Sequence, residues 1–226
     1  MKITYYGHSC FAAEINGKRL LFDPFITQNP LAKAVDIKKI QADYIFVSHA
    51  HYDHIVDTTA IANQTGATVV SNYEIVTWLG KNGVKNIQPL NPGGTFVSDF
   101  GRVKCVNAIH SSSFPDGTYG GIASGFVVES ADANFYYSGD TALTQDMKFI
   151  NETTKLKFAV LCVGGTLTMD ADDAIRAAGL IQCKEVMGVH YDTFPTIKID
   201  HAAAKEKFRS KGLTLHLLPI SGAQDF

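Results

Sequence analysis

The residues of this 226-residue chain best suited to chemistry are packed into one hexapeptide, His49-Ala50-His51-Tyr52-Asp53-His54. Three imidazoles and a carboxylate this close together are the usual donors for zinc and related divalent ions. Crowding them gains nothing for a hydrophobic core. The group follows the apolar run Tyr44-Ile45-Phe46-Val47, which reads as a strand. His49 and His51 then project from one side of an extended segment. Asp53 and His54 turn toward a second point, so the spacing suggests two metals rather than one.

Three more residues share the position type of His49. His110 follows the strand-like run 102–109, Asp140 follows Asn134-Phe135-Tyr136-Tyr137-Ser138-Gly139, and His190 follows 185–189. Each stands just past the C-terminal end of an apolar run, where the active sites of sheet-based folds collect. Strand ends are rigid enough to hold ligands to the tolerance a metal requires. His201, at a helix start, and His216, in a strand pattern, read as structural or solvated. Ser111-Ser112-Ser113 lacks a Gly-x-Ser-x-Gly elbow and reads as a polar loop rather than a nucleophile. Gly164-Gly165 lacks the rest of a phosphate loop and reads as a close backbone passage.

The elements that must carry these residues begin with strand runs at Ile3–Tyr6, Cys10–Ile15 and Arg19–Phe22, with Asn16-Gly17 as a hairpin turn. Residues 56–65 and 72–81 read as helices around a strand at Thr68–Val70, the second stopped at Asn82-Gly83. Strand runs recur at 95–97, 102–109, 123–129 and 134–138. Phe158–Val163, Glu185–Val189 and Leu213–Leu217 then alternate with helices over Asp170–Ile181 and Ala202–Ser210. Strand-rich blocks with interspersed helices suggest an α/β protein of two sheets packed face to face with helices outside. No linker interrupts the pattern, so one domain over residues 1–226 is expected.

Composition is that of an ordinary globular protein, with 46% hydrophobic and 19% charged residues and a formal net charge of −2. No global field recruits nucleic acid or an anionic membrane. The apolar runs are strand-sized and the N-terminus lacks a signal-peptide core, so a cytoplasmic location is expected, with no membrane partner. Cys10, Cys105, Cys162 and Cys183 are dispersed and read as buried reduced thiols.

Several stretches resemble the metallo-β-lactamase superfamily, in family order and over nearly the whole chain. They are Gly7-His8-Ser9-Cys10-Phe11, Phe22-Asp23-Pro24-Phe25, Ser48 to His54, Ser138-Gly139-Asp140-Thr141, 164–169 and 188–195. Within it the chain is similar to the small UlaG-like or YtkL-like metal-dependent hydrolases. The resemblance implies an αββα sandwich with the metal site at one edge. It assigns His49, His51 and His110 to one metal, Asp53, His54 and His190 to a second, and Asp140 as their bridge.

The cofactors implied are two divalent ions, zinc first, with manganese, iron or nickel also suited to an all-nitrogen and oxygen set. No cysteine takes a ligand position, which argues against β-lactamase activity. Two metals about 3.5–4 Å apart supply a bridging hydroxide at neutral pH and polarise the oxygen under attack. The expected reaction is hydrolysis of a small ester, lactone or phosphodiester. Asp53 would also orient the hydroxide, and His8 and Tyr191 are the candidates for protonating the leaving group. Asp23 reads as a brace rather than a catalyst. The residual positive charge of the centre favours an anionic or oxygen-rich small molecule. Nucleic acid is not expected, and relatives of this type commonly form homo-oligomers. The alternatives are a di-iron oxidoreductase, whose known relatives carry Glu at the position of His51, and a metabolite-binding protein without turnover. The loops 111–121 and 164–169 are left to choose the substrate.

Overall fold

A computed structural model describes residues 1–226. An alternating segment forms β1 (Lys2–Gly7) and apolar-rich segments form β2 (Cys10–Ile15) and β3 (Lys18–Phe22), an antiparallel series in which β2 and β3 are joined at Asn16-Gly17, both at positive φ. Beyond β3 the chain crosses over and the pairing becomes parallel, through β4 (Tyr44–Phe46), β5 (Thr68–Ser71) and β6 (Ile87–Pro89). The crossovers carry α1 (Tyr52–Ile55), α2 (Thr58–Thr65) and α3 (Tyr73–Lys81). Asn72 caps α3 by accepting from the Ile75 amide.

The second half repeats the plan in reverse. β7 (Thr95–Ser98), β8 (Gly101–Asn107), β9 (Ser124–Glu129) and β10 (Phe135–Tyr137) pair antiparallel. β11 (Phe158–Cys162), β12 (Glu185–Val189) and β13 (Thr214–His216) follow in parallel. Their connections hold α4 (Met147–Thr153), α5 (Ala171–Leu180) and α6 (His201–Ser210), and β14 (Ala223–Asp225) returns to pair with β1. The result is two seven-stranded sheets, ordered β14-β1-β2-β3-β4-β5-β6 and β13-β12-β11-β10-β9-β8-β7.

The inner faces meet in a core that draws Phe11, Phe22 and Phe46 from one sheet and Phe126, Phe135 and Phe158 from the other. Phe22 stacks on Phe11 at 4.5 Å and on Phe46 at 5.1 Å, and Phe46 meets Phe126 edge-on at 5.3 Å across the sandwich. Each fully buried phenyl contributes about 1.5–3 kcal/mol by leaving water. The outer faces form two further cores, one beneath α1–α3 and one beneath α4–α6. This is the expected αββα layering.

Elements that the sequence pattern does not reveal are short or sit at edges. β6 ends in Pro89, which only an edge strand tolerates. β14 is Ala-Gln-Asp and has no apolar alternation. α4 has seven residues and no side-chain cap. The helix expected over 56–65 is α2, which starts at Thr58, and a separate one-turn helix, α1, precedes it from Tyr52 inside the hexapeptide.

Candidate metal centre

The ends of β4, β8, β10 and β12 bring the predicted residues to one place. His49, His51 and His110 present ring nitrogens within 4.8 Å of one another. His49 is buried, whereas His51 and His110 are half-buried and open to a cavity. His49 Nε2 and His51 Nδ1 lie 2.9 Å apart. His51 is the last extended residue, at φ −63° and ψ 146°, and α1 starts immediately after it. That turn carries Asp53 and His54 away to a second group, whose donor atoms also fall within 4.8 Å: His8, Asp53, His54 and His190. The change from extended to helical backbone within the hexapeptide is the physical cause of the split between 49/51 and 53/54.

Asp140 stands between the groups. Its Oδ2 lies 2.9 Å from His190 Nε2, 3.2 Å from His54 Nε2, 3.7 Å from His110 Nε2 and 3.9 Å from His49 Nε2. Gly139 (φ 59°) delivers it there, because a Cβ at 139 would meet the Ser124 carbonyl oxygen at 2.5 Å.

Asp23 lies beneath the histidines, fully buried at the end of β3. It accepts from the Ser48 amide (2.7 Å), the Ser48 hydroxyl (2.5 Å) and the Tyr137 hydroxyl (2.5 Å), and it pairs with His54 Nδ1 at 2.7 Å. Because Ser48 donates to Asp23, its oxygen is left to accept from His49 Nδ1 at 3.0 Å. In the neutral form that binds metal, both imidazoles therefore carry their proton on Nδ1 and turn a bare Nε2 toward Asp140. His54 Nε2 and Asp140 Oδ1 are buried with no hydrogen-bond partner. Buried polar atoms without partners are costly, and here they converge on one point with the nitrogen and oxygen chemistry of a divalent-ion site. The residues present fit a metal.

The local field favours neutral rings at three of the histidines. Burial and the neighbouring His54 push His49 down, and burial also lowers His51 and His110, so these rings favour the neutral form that binds metal. Burial opposes charge on His54, but Asp140 and Asp23 outweigh it and raise its pKa. Burial would raise Asp140 and Asp53; His190 and His54 hold the first below the usual carboxylate range, and His8 and His54 the second.

The three candidates for catalysis fare differently. Asp53 faces the cavity and its Oδ2 is 3.1 Å from His8 Nε2. His8 is buried behind it, with Nδ1 3.0 Å from Thr193 Oγ1, and burial with the adjacent His190 pushes its pKa down to about 4. It touches Asp53 rather than the cavity. Tyr191 does not join the site. Its ring packs between Tyr5 and His201 and its hydroxyl donates to the Leu218 carbonyl at 3.4 Å. Burial pushes its pKa up to about 12, and its place in the core corrects the expectation of a proton donor.

His201 pairs with Asp192 and His216 with Glu185, apart from either ligand group. Ser112 accepts from the Ala50 amide and donates to the Gly120 carbonyl, bracing the hexapeptide. The supporting residues Ser48, Thr193 and Tyr137 escape a sequence reading. Ser48 and Thr193 have only their places within the stretches Ser48 to His54 and 188–195 as a signal, and Tyr137 has only its place in an apolar run. The cavity above the cluster measures about 640 Å³ and is walled by Ser111, Ser113, Phe114, Pro115, Gly117, Tyr52, Leu167, Phe194 and Thr196 as well as the candidate ligands.

Two face-to-face mixed sheets, with a His-x-His-x-Asp-His turn and further His and Asp residues at their strand ends, define the metallo-β-lactamase superfamily. The chain belongs to it: residues 2–190 match the β-lactamase superfamily domain. It is 52% identical over 220 residues to a UPF0173 metal-dependent hydrolase of Methylacidiphilum infernorum and 53% identical over 220 residues to one of Flavobacterium johnsoniae, each match covering 97% of both chains. Among solved structures it is similar to Igni18, a metallo hydrolase of Ignicoccus hospitalis, at a TM-score of 0.89 and 33% identity, covering 100% of this chain and 98% of that one. The chain is a metal-dependent hydrolase of this superfamily.

Proposed function

We propose that this hydrolase is binuclear, in the manner of the UlaG-like group, and acts in the cytoplasm on a small ester, lactone or phosphodiester. The observation that carries the reading is Asp140, whose Oδ2 lies within 4 Å of imidazoles from both ligand groups. His49, His51 and His110 would hold one ion, Asp53, His54 and His190 the other, and Asp140 both. Zinc suits this donor set first, and manganese, iron and nickel are also accommodated. Bound there, two divalent ions supply a hydroxide at neutral pH and polarise the oxygen under attack. Asp23 and Ser48 hold the tautomers that make His49 and His54 ligands. His8 holds the Asp53 carboxylate at the cavity floor.

The test is metal analysis of protein purified without chelator or His tag, paired with a panel of lactones, phosphodiesters and thioesters. About two ions per chain and turnover of one substrate class are expected. His110→Ala and Asp140→Ala should each lose metal and activity. Unchanged metal content in either variant would refute the ligand assignment.

A further inference from the structure

The cavity over the centre has an unusual charge distribution. All its ionisable side chains except the phenol of Tyr52 are the carboxylates and imidazoles of the two ligand groups, His51, Asp53, His110, Asp140 and His190. No lysine or arginine lines it. The chain does place cations in another cavity of about 550 Å³, where Arg102 and Lys104 lie between β8 and α4, but the two cavities share no residue. Any charge on the substrate beyond its reacting group would therefore find no lysine or arginine to pair with, because the residual positive charge of the centre is taken by the reacting group itself. Taking an unpaired anion out of water is strongly unfavourable.

The walls offer apolar surface instead. Leu167 is 54% exposed and Tyr52 42% exposed, both at this cavity. Tyr52 and Phe194 are seated on the buried Phe25, with ring centroids at 5.6 and 6.3 Å. Phe114 is stacked on Trp78 at 4.3 Å. These rings are fixed before a ligand arrives, and a preformed apolar wall with a few convergent polar groups is the usual form of a small-molecule site.

Resting on the binuclear reading, we propose that the substrate is a neutral carboxylic ester or lactone whose uncharged apolar or aromatic substituent packs against Tyr52, Leu167 and Phe194. Phosphorylated substrates and those with a second carboxylate are rejected. In the reaction the oxygen of water bonds to the acyl carbon and the acyl–oxygen bond breaks. The products are a carboxylate and an alcohol (one hydroxy acid from a lactone), with one proton released to solvent.

The experiment compares twins that differ only in a terminal charge. With metal-loaded protein, kcat/KM is measured for the p-nitrophenyl ester of hexanoate and for the mono-p-nitrophenyl ester of adipate, with bis-p-nitrophenyl phosphate alongside. Binding of free hexanoate and free adipate is measured by calorimetry. The neutral ester should be preferred by at least about tenfold, and hexanoate should bind more tightly than adipate by a similar factor. Leu167→Arg, at unchanged metal content, should narrow or reverse both ratios. Equal or better use of the charged ester, or tighter adipate, overturns the proposal and leaves the binuclear hydrolase standing; so does turnover of the phosphodiester alone. A single ion per chain at saturation overturns the binuclear reading itself. If no ester turns over, the hexanoate-to-adipate ratio still decides the proposal, because binding requires no chemistry.

Discussion

Asp23 never reaches the cavity, yet four donors, two from Ser48 and one each from His54 and Tyr137, converge on its two oxygens. Its backbone lies at φ 41°, a region that asparagine also tolerates. Asp23→Asn therefore tests the carboxylate without straining the turn. It is expected to lower metal affinity about 10–100-fold while the fold survives. Competition with a chromogenic chelator and a circular dichroism spectrum read the two effects separately. Affinity unchanged within error would show that the His49 and His54 tautomers do not depend on this brace. Alanine would confound the test by losing the turn conformation as well.

At the scale of elements, the candidate ligands are delivered by short turns that leave no room for side chains. A Cβ on Gly164, two residues past β11, would stand 2.1 Å from the carbonyl oxygen of His190. Gly164→Ala should push on the backbone that carries this ligand and cost about 1–3 kcal/mol in urea unfolding, with reduced metal content. Gly179 in α5 is the control, because a Cβ there meets nothing within 4 Å. Gly179→Ala should stabilise the protein by about 0.5–1 kcal/mol. Equal effects at the two positions would contradict the packing argument. The turns also share a topological logic. β3 and β10 are the strands in each sheet with one antiparallel and one parallel neighbour, and Asp23 and Asp140 follow them. Both sheets thus place a carboxylate where the strand direction switches, the position where crevices open in sheet-based folds.

Across the whole molecule the centre ties the halves together, since Asp53 and His54 follow a strand of one sheet and His110, Asp140 and His190 follow strands of the other. An ion that binds only the folded state stabilises it by mass action, so a chelator should lower the melting temperature by on the order of 10 °C for a tightly bound metal. Acid should act on the metal-free protein in a definite direction. His8 is held down to about 4, and His49, His51 and His110 are also lowered. The unfolded chain binds protons on these groups near pH 6.5 and the folded chain does not. Their contribution is therefore fully present above about pH 6.5 and is lost as pH falls toward 4, His8 alone accounting for about 3 kcal/mol. His54 is raised, and its contribution is lost only as pH rises above 6.5, so it does not mask the effect. Urea midpoints of chelated protein between pH 7 and pH 4.5 would check this; flat midpoints would contradict it.

Much of the centre was legible from residue order alone. Ligand identity depends on side-chain type, and the strand ends that hold His49, His110, Asp140 and His190 follow from local apolar runs. The layering likewise follows from strand and helix periods that each segment carries by itself. The position of Tyr191 was not legible, because adjacency to His190 along the chain says nothing about direction, and positive φ at His190 (58°) sets the two side chains apart. Nor was the network of Asp23, Ser48 and Tyr137, whose members are separated by up to 114 residues. The neutral, aromatic wall of the cavity brings together residues 52, 114, 167 and 194, from loops that no local pattern relates. Composition and local spacing determine which atoms can bind a metal. Only the packing of the two sheets, driven by burial of their phenylalanine faces, decides which distant side chains surround it.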